Sequence, residues 1–223
     1  MFTVSDEWKK AYPGAFAGVL AMSGVVNPGS HPALDQKKRE LERDLRRLFK
    51  SPEALKSDPR LQAYRDYYKR FKKSYHVQHQ LESVVFKGKS LPSVASLVEA
   101  MFCAELRATL LTAGHDLDLL TLPLKLDISK GDEKYVKLNG EEQVLKAGDM
   151  MISDSQGIIS CVIYGPDRRT CITQDTTSVL FTTYVAPGIG AQAVHEHLRE
   201  LETNVKVVAP EARVDLMEVY EAG

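Results

Sequence analysis

The 223-residue sequence has little of what membrane or secreted proteins contain. No apolar run approaches the roughly 20 consecutive residues of a transmembrane helix, so we expect no membrane span. The amino terminus has no basic stretch followed by an apolar one, which argues against a signal peptide. Cysteine is scarce: there are three, an odd number, and none lies in a CxxC motif. We therefore expect reduced thiols and a cytoplasmic protein.

Net charge is also nearly absent, at −1, but this value results from cancellation. Residues 36–90 contain 16 Lys and Arg against 7 Asp and Glu, whereas the rest of the chain contains 13 and 23. Such an uneven distribution favours an anionic partner for the basic segment. Solvated basic helices folded against an acidic domain would give the same counts. Because 43% of the residues are hydrophobic, the chain can form a core, which excludes general disorder.

The apolar pattern predicts helices mainly in the first half of the chain and short strands in the second. The expected helices cover 33–49, 60–71, 94–112 and 191–203, and Gly114 is expected to end the third. The main expected strands cover 2–4, 16–23, 124–128, 135–138, 143–145, 150–153, 158–164, 170–172, 179–184, 205–208 and 213–220. Asn139-Gly140 predicts a hairpin turn, because both residues tolerate positive φ. The result is an α+β fold, with a mostly antiparallel sheet around one hydrophobic helix.

Basic and aromatic residues alternate in the segment from Tyr64 to Tyr75. Cations can hold phosphates and aromatic rings can stack on bases, so this segment is a candidate RNA-binding region. Its candidate RNA-binding residues are Arg65, Lys69, Arg70, Lys72 and Lys73. The alternative is an amphipathic helix whose tyrosines form its buried stripe.

Several familiar motifs are incomplete. The run from Gly188 to Ala193 resembles a dinucleotide-binding loop, but too few residues follow to complete the sheet, so we favour a turn that caps a helix. The histidine pairs 76/79 and 195/197 lack further ligands, so no metal site is expected. Cys161 and Cys171 could face each other across a hairpin, although free thiols are the simpler expectation. No G-x-S-x-G motif or Cys–His pairing indicates a covalent nucleophile, and no cofactor is expected.

A longer set of elements has the order and spacing of a known family. Its members are Leu97-Val98-Glu99-Ala100-Met101-Phe102, Ala113-Gly114-His115-Asp116-Leu117-Asp118, Asn139-Gly140-Glu141-Glu142, Gly148-Asp149, Ile152-Ser153-Asp154, Gly157, Tyr164-Gly165-Pro166-Asp167 and Ile172-Thr173-Gln174-Asp175-Thr176-Thr177. Together they resemble the B3/B4 domain of the bacterial phenylalanyl-tRNA synthetase β subunit over about residues 70–190.

Two further elements are similar to those of free-standing relatives of that domain. They are Tyr12-Pro13-Gly14 and Lys87-Gly88-Lys89-Ser90-Leu91-Pro92. The resemblance therefore implies a single, free-standing B3/B4-like domain over 1–223. Within it we expect a basic helical segment at 36–75, the core B3/B4 region at 76–190, and a carboxyl-terminal helix and strands at 191–223.

The resemblance also implies a function. In the synthetase this domain hydrolyses tyrosine wrongly esterified to phenylalanine tRNA, using a positioned water, so the expected partners are tRNA or an amino-acid-like small molecule. The ligand-binding positions that it implies are Phe102, Ala113, Tyr164, Gly165, Pro166 and Thr182. The family's Thr-Asn pair falls on Met101 and Phe102, its pocket histidine on Ala113, and its hydroxyl-reading acid on Thr182. Without those polar groups, tyrosyl editing is not expected, because the site has lost the partner of the tyrosine hydroxyl.

His115 takes the place of the aromatic residue in the family's turn. Beside Asp116 and Asp118 it is a candidate general base, while the alternative is a histidine packed at an aromatic core position. The two aspartates are expected to accept hydrogen bonds from turn amides. Two functional hypotheses result: a tRNA- or aminoacyl-ligand-binding protein that hydrolyses mischarged tRNA in trans, or a non-catalytic small-molecule or RNA-binding module that kept the fold.

Overall fold

Helices occupy most of the first half of the chain and strands most of the second. The computed structural model describes residues 2–223. The helices are α1 (Asp6–Ala11), α2 (Pro32–Leu48), α3 (Pro52–Lys56), α4 (Pro59–Arg70), α5 (His76–Phe86), α6 (Ser96–Ala108) and α7 (Ala191–Val208). The strands are β1 (Phe2–Val4), β2 (Phe16–Ser23), β3 (Leu111–Asp116), β4 (Leu124–Ile128), β5 (Lys134–Val136), β6 (Glu142–Val144), β7 (Met150–Asp154), β8 (Gly157–Cys161), β9 (Gly165–Pro166), β10 (Ser178–Val185) and β11 (Arg213–Glu221). The predicted α+β class is confirmed.

The strands form two larger sheets and one small hairpin. The four-stranded sheet has the order β11-β2-β10-β3 and is antiparallel throughout. The five-stranded sheet has the order β1-β4-β7-β8-β9, and only its β1–β4 pair is parallel. The hairpin β5–β6 turns at Asn139-Gly140 as predicted, with Gly140 at a φ of 85°. The mostly antiparallel architecture is thus confirmed.

Helices α6 and α7 cover one face of the four-stranded sheet. Close packing of α7 depends on Gly18 of β2, where an added Cβ would lie 2.9 Å from Val194 Cγ1. Helix α6 has most of its side chains buried, including Leu97, Ala104 and Leu106, as expected for the hydrophobic helix of the fold. The opposite face of this sheet is directed at the five-stranded sheet, because the Tyr184 hydroxyl of β10 hydrogen-bonds Ser160 of β8 at 2.6 Å.

The tyrosines of α4 and of the turn after it tie this helix to both sheets. The Tyr67 hydroxyl donates to the Asp149 carboxylate at 2.7 Å, and Tyr68 donates to the Val162 carbonyl at 2.8 Å. Tyr64 donates to the Tyr184 carbonyl, and Tyr75 to the Thr109 carbonyl at 3.0 Å. All four tyrosines are buried. They form the buried stripe that the amphipathic alternative predicted, so these rings are not available to stack on bases.

Some element boundaries differ from the prediction. Helix α6 ends at Ala108, because Thr109 adopts a left-handed conformation with a φ of 59°. Gly114, expected to end that helix, lies inside β3, where an added Cβ would be 2.8 Å from Ile172 Cδ1. The run Leu110-Leu111 continues the apolar pattern of the helix, but in the structure Leu111 begins β3 and pairs with Tyr184 of β10.

Three further segments were predicted wrongly or not at all. The strand expected at 205–208 is the last turn of α7. The strand expected at 170–172 is a loop. Helix α5 was not predicted, so the helices continue beyond the basic segment expected at 36–75.

Cys103, Cys161 and Cys171 are free thiols.

Within residues 2–223, no helix is both long and apolar enough to cross a membrane. In the same part of the chain, no three His, Cys, Asp or Glu side chains gather closely enough to hold a metal ion.

Candidate functional site

The strands β3 and β10 bring three of the predicted site residues together inside the protein. Ala113 and Thr182 are direct partners in the antiparallel pair, and His115 follows two residues after Ala113. All three side chains therefore point to the same face of the sheet. That face is directed at the five-stranded sheet, and the exposed fractions are 5% for Ala113 and 0% for both Thr182 and His115. These residues line a closed interior and not an open pocket.

Hydrogen bonds orient the His115 ring. The Thr170 hydroxyl donates to the Asp167 carboxylate, so its oxygen is free to accept a hydrogen bond from His115 Nδ1, which lies 2.8 Å away. Asp167 is in turn near the guanidinium of Arg169, which also binds Asp154 at 2.9 Å. This arrangement places the proton of the neutral imidazole on Nδ1 and leaves Nε2 as an acceptor.

His115 Nε2 and Thr182 Oγ1 have no hydrogen-bond partner among the described residues. Burial, reinforced by the positive charge of Arg169, lowers the pKa of His115 to about 3. The imidazole is therefore neutral at pH 7. Two unsatisfied polar atoms on the same face of paired strands are unusual, because buried polar groups are nearly always hydrogen-bonded. The interior face thus carries two buried polar atoms whose hydrogen-bonding capacity the described residues do not use.

The remaining predicted pocket residues lie on other elements, of which β9 contacts β3. Gly165 and Pro166 form the edge strand β9, opposite Cys161 and Ser160 of β8. The ring of Tyr164 packs beside the hydrophobic cluster around Tyr135 and lies 5.7 Å from Lys73 Nζ.

Phe102 is on α6, which packs against the opposite face of the four-stranded sheet from Ala113: Met101 Sδ is 3.3 Å from where a Cβ of Gly114 would be. The structure therefore does not bring Phe102 together with Ala113 and Thr182.

Phe102 instead lines a separate cavity of about 390 Å³ between α5, α6 and the segment 89–92. Neither Ala113 nor Thr182 is among its lining residues within the described chain. Segment 89–92 belongs to the Lys-Gly-x-x-Leu-Pro element found in the sequence.

Helix α5 itself could have been predicted from Val77, Leu81 and Val84, which are spaced at four and three residues and are all buried.

The predicted RNA-binding residues lie on one helix and in the turn after it, and three of them line a common cavity. Arg65, Lys69 and Arg70 lie on α4, and Lys72 and Lys73 lie in the turn that follows. We call these five residues the basic face. All are exposed except Arg65, which is half-buried and donates to Gln78 Oε1 at 3.1 Å. Arg65, Lys69 and Lys73 line a cavity of about 250 Å³ together with Ser74, Tyr75, Gln78 and His79.

A second buried polar cluster lies on the other side of the four-stranded sheet. The Thr112 amide donates to Glu105 Oε1 at 3.0 Å, and the Thr112 hydroxyl lies 2.7 Å from His197 Nε2. Burial raises the pKa of the Glu105 carboxyl to about 8 and lowers the pKa of His197 to about 3. Both side chains are thus predominantly uncharged near neutral pH, and they stabilise the packing of α6 and α7 on the sheet.

Comparisons with known proteins agree with this architecture. A family model of the B3/4 domain matches residues 63–209. The fold is similar to that of an N-terminal fragment of the phenylalanyl-tRNA synthetase β-subunit from Pyrococcus horikoshii, with a TM-score of 0.51 and 12% sequence identity. The alignment covers 98% of this chain and 53% of that one, so the chain spans about half the length of that fragment. At this identity the similarity concerns the fold alone. A search among curated proteins gives no match.

Proposed function

The chain belongs to the B3/4 domain family, and we propose that it is an RNA-binding module that takes tRNA through its basic face. The observation that supports this proposal is the set of cations without carboxylate partners on α4 and in the turn after it. None of the ion pairs within residues 2–223 includes Arg65, Lys69, Arg70, Lys72 or Lys73. Cations without carboxylate partners are available to phosphates.

The basic face is also held in place. Helix α4 is anchored by its buried tyrosines, and its C-terminal turn is closed by hydrogen bonds from the Lys72 amide to the Lys69 carbonyl and from the Lys73 amide to the Tyr68 carbonyl. The cations are therefore presented from a fixed backbone. Binding of this kind releases counterions from the RNA and weakens steeply as salt increases.

The test is fluorescence anisotropy of labelled tRNA titrated with the protein at several NaCl concentrations. We expect wild-type affinity to fall steeply with salt, and the double variant Lys69→Ala/Lys73→Ala to reduce the slope of log K against log salt by about 2, near one unit for each lost phosphate contact. The control Lys10→Ala/Lys130→Ala removes two exposed lysines elsewhere on the surface. Absent or salt-independent binding, or an equal loss in the control, would contradict the proposal.

A second candidate function rests on the interior face. His115 Nε2 is an oriented acceptor without a partner, and the Thr182 hydroxyl is on the same side of the sheet. For hydrolysis, the closed interior would first have to open to the aminoacyl end of a tRNA, because both side chains are fully buried. A water bound beside them would then attack the carbonyl carbon of the ester and give its proton to Nε2. The ester C–O bond then breaks, and the ribose oxygen leaves with that proton as a hydroxyl. The chain would then hydrolyse mischarged tRNA in trans.

This second candidate is tested by deacylation of a panel of mischarged tRNAs. Turnover that is lost in His115→Ala and retained in His195→Ala, a change at an exposed histidine, supports hydrolysis at the interior face. No turnover with any tRNA of the panel means that the protein is a binding module without this chemistry.

A further inference from the structure

Two cavities of different chemistry meet at the side chain of His79. The first is the cavity of about 250 Å³ at the basic face, and the second is the cavity of about 390 Å³ that Phe102 lines. His79 lies in the wall of both. Its Nε2 is 2.9 Å from Ser74 Oγ and its Nδ1 is 3.5 Å from a Glu82 oxygen, so the ring is held between the two cavities. A ligand that extends past His79 would contact both of them.

The first cavity suits an anionic group. Arg65, Lys69 and Lys73 contribute three cations, and within residues 2–223 none of them forms an ion pair with a carboxylate. The start of α5 borders the same space, with no acidic residue in its first turn and no side chain capping it. Its free backbone amides add to the field of the cations. Arginine and lysine form strong charge-assisted hydrogen bonds with phosphate, so the phosphate group of a larger ligand fits these donors.

The second cavity suits a flat, partly apolar group. Phe102, Leu91, Pro92 and Val84 supply apolar surface, while Gln80 and Ser83 supply hydrogen-bonding groups. Its volume is in the range of small-molecule sites in proteins. An aromatic ring beside a few polar groups is the usual environment for a base that is stacked and read at its edge.

The wall of the second cavity is fixed before any ligand arrives. The Leu91 amide donates to Glu42 Oε1 at 2.8 Å, and Leu91 is buried. The Arg46 guanidinium donates to the carbonyl of Val84 at 3.0 Å and to that of Lys89 at 3.4 Å. Segment 89–92 is therefore tied to α2, and its Lys89 amide also donates to the Ser83 carbonyl of α5 at 3.0 Å.

We propose that the two cavities form one site for a nucleotide of single-stranded RNA, with a base beside Phe102 and the adjoining phosphate among Arg65, Lys69 and Lys73. This inference rests on the proposed function and adds that the basic face binds one nucleotide of the RNA through its phosphate. The chemistry favours a nucleotide over a free amino acid, because a phosphodiester brings a net negative charge to the three cations, whereas the ammonium of a zwitterionic amino acid offsets the attraction of its carboxylate.

The test compares a labelled single-stranded RNA hexamer with the same hexamer carrying abasic riboses. We expect the intact hexamer to bind at least ten-fold more tightly. Phe102→Ala should remove most of this difference, while Lys69→Ala/Lys73→Ala should weaken both hexamers equally. Because Phe102 is half-buried, a second variant, Ser83→Trp, fills the cavity from α5 without removing core contacts and should have the same effect.

The outcomes separate this inference from the proposed function. If tRNA binds with the expected salt dependence but intact and abasic hexamers bind equally, the base site is wrong and the basic face stands. If no RNA binds at all, both proposals fail. A third outcome is that phenylalanine or tyrosine raises the melting temperature of the wild type but not of Ser83→Trp, while RNA raises neither melting temperature. The second cavity then binds an amino acid, and the nucleotide assignment is overturned.

Discussion

Ala113 and Thr182 face each other across β3 and β10 at the two positions where the phenylalanyl-tRNA synthetase resemblance places a histidine and an acid. In this chain they leave one small apolar side chain and one hydroxyl, and that hydroxyl has no partner among residues 2–223. The interior face therefore lacks the polar groups of the family's pocket, yet it is not fully apolar. The energetic consequence of the unsatisfied hydroxyl can be measured.

Replacing Thr182 by valine should leave the protein equally stable or more stable. Valine has the shape of threonine without the hydroxyl, so the change removes a buried group whose desolvation costs about 1–3 kcal/mol and breaks no hydrogen bond. We expect the free energy of unfolding in urea to stay constant or to rise by about 1 kcal/mol.

Thr183→Val is the matched control, because the neighbouring Thr183 hydroxyl lies 3.2 Å from Thr112 Oγ1 on the other face of the sheet. This change should lower the free energy of unfolding by about 1 kcal/mol. A loss of similar size in Thr182→Val would show that its hydroxyl binds a partner, as hydrolysis at the interior face requires.

Stability should fall as the pH rises from about 6.5 to 8, where Glu105 is the main contributor. Its pKa is raised to about 8 by burial, so the folded state keeps a proton that the unfolded state, with a glutamate pKa near 4.3, has lost. Stability is therefore lost as pH rises toward the folded pKa, at about 1.4 kcal/mol per pH unit. The pKa values of His115 and His197 are lowered to about 3, so these two residues change the stability mainly below the unfolded histidine pKa of about 6.5.

Glu105→Gln isolates this effect, since glutamine resembles the protonated acid and can still accept from the Thr112 amide. Urea titrations at half-unit pH steps should show the decline in wild type and a flat profile in the variant. An equal decline in both proteins would assign it to other groups.

The fold could be predicted from the sequence wherever one side of an element is apolar. Helix α2 follows from Leu34, Leu41 and Leu45, and the hairpin from Asn139-Gly140. The break between α6 and β3 could not, because Leu110-Leu111 continues an apolar helix and the left-handed Thr109 is held by a distant donor, the Tyr75 hydroxyl.

The candidate site was predictable in its parts but not in its arrangement. The basic residues are close to one another because they are close in sequence: Arg65 and Lys69 are one turn apart on α4, and Lys73 lies in the turn that follows. Phe102 and Ala113 are also close in sequence, but α6 and the side chain of Ala113 lie on opposite sides of the four-stranded sheet. Only the direction of side chains in β3, set by its register with β10, separates them.

The buried ion pair between Lys38 and Glu99 should be important for stability. Lys38 Nζ lies 2.6 Å from Glu99 Oε2, and the side chains are 8% and 1% exposed. Lys38→Ala would leave the carboxylate buried without its cation, which typically costs about 3–5 kcal/mol. The exposed pair Lys134–Glu142 is the control, and Lys134→Ala should cost less than about 1 kcal/mol. Thermal unfolding that shifts equally in the two variants would show that solvent reaches Glu99.

Glu42 should govern the mobility of the segment that lines the second cavity. Its carboxylate accepts from the Leu91 amide at 2.8 Å, and a hydrogen bond to a charged acceptor contributes about 1.5–3 kcal/mol. Glu42→Ala should therefore make hydrogen exchange at the Leu91 amide about ten-fold faster or more, without a matching change in β10. Peptide-resolved exchange followed by mass spectrometry measures both regions.

Glu40→Ala is the control: this residue lies on the same helix and is bonded only to Gln36, so its loss should leave the exchange of segment 89–92 unchanged. If Glu42→Ala also leaves it unchanged, the segment is held by Arg46 and by the burial of Leu91 instead, and the preformed cavity does not depend on this carboxylate.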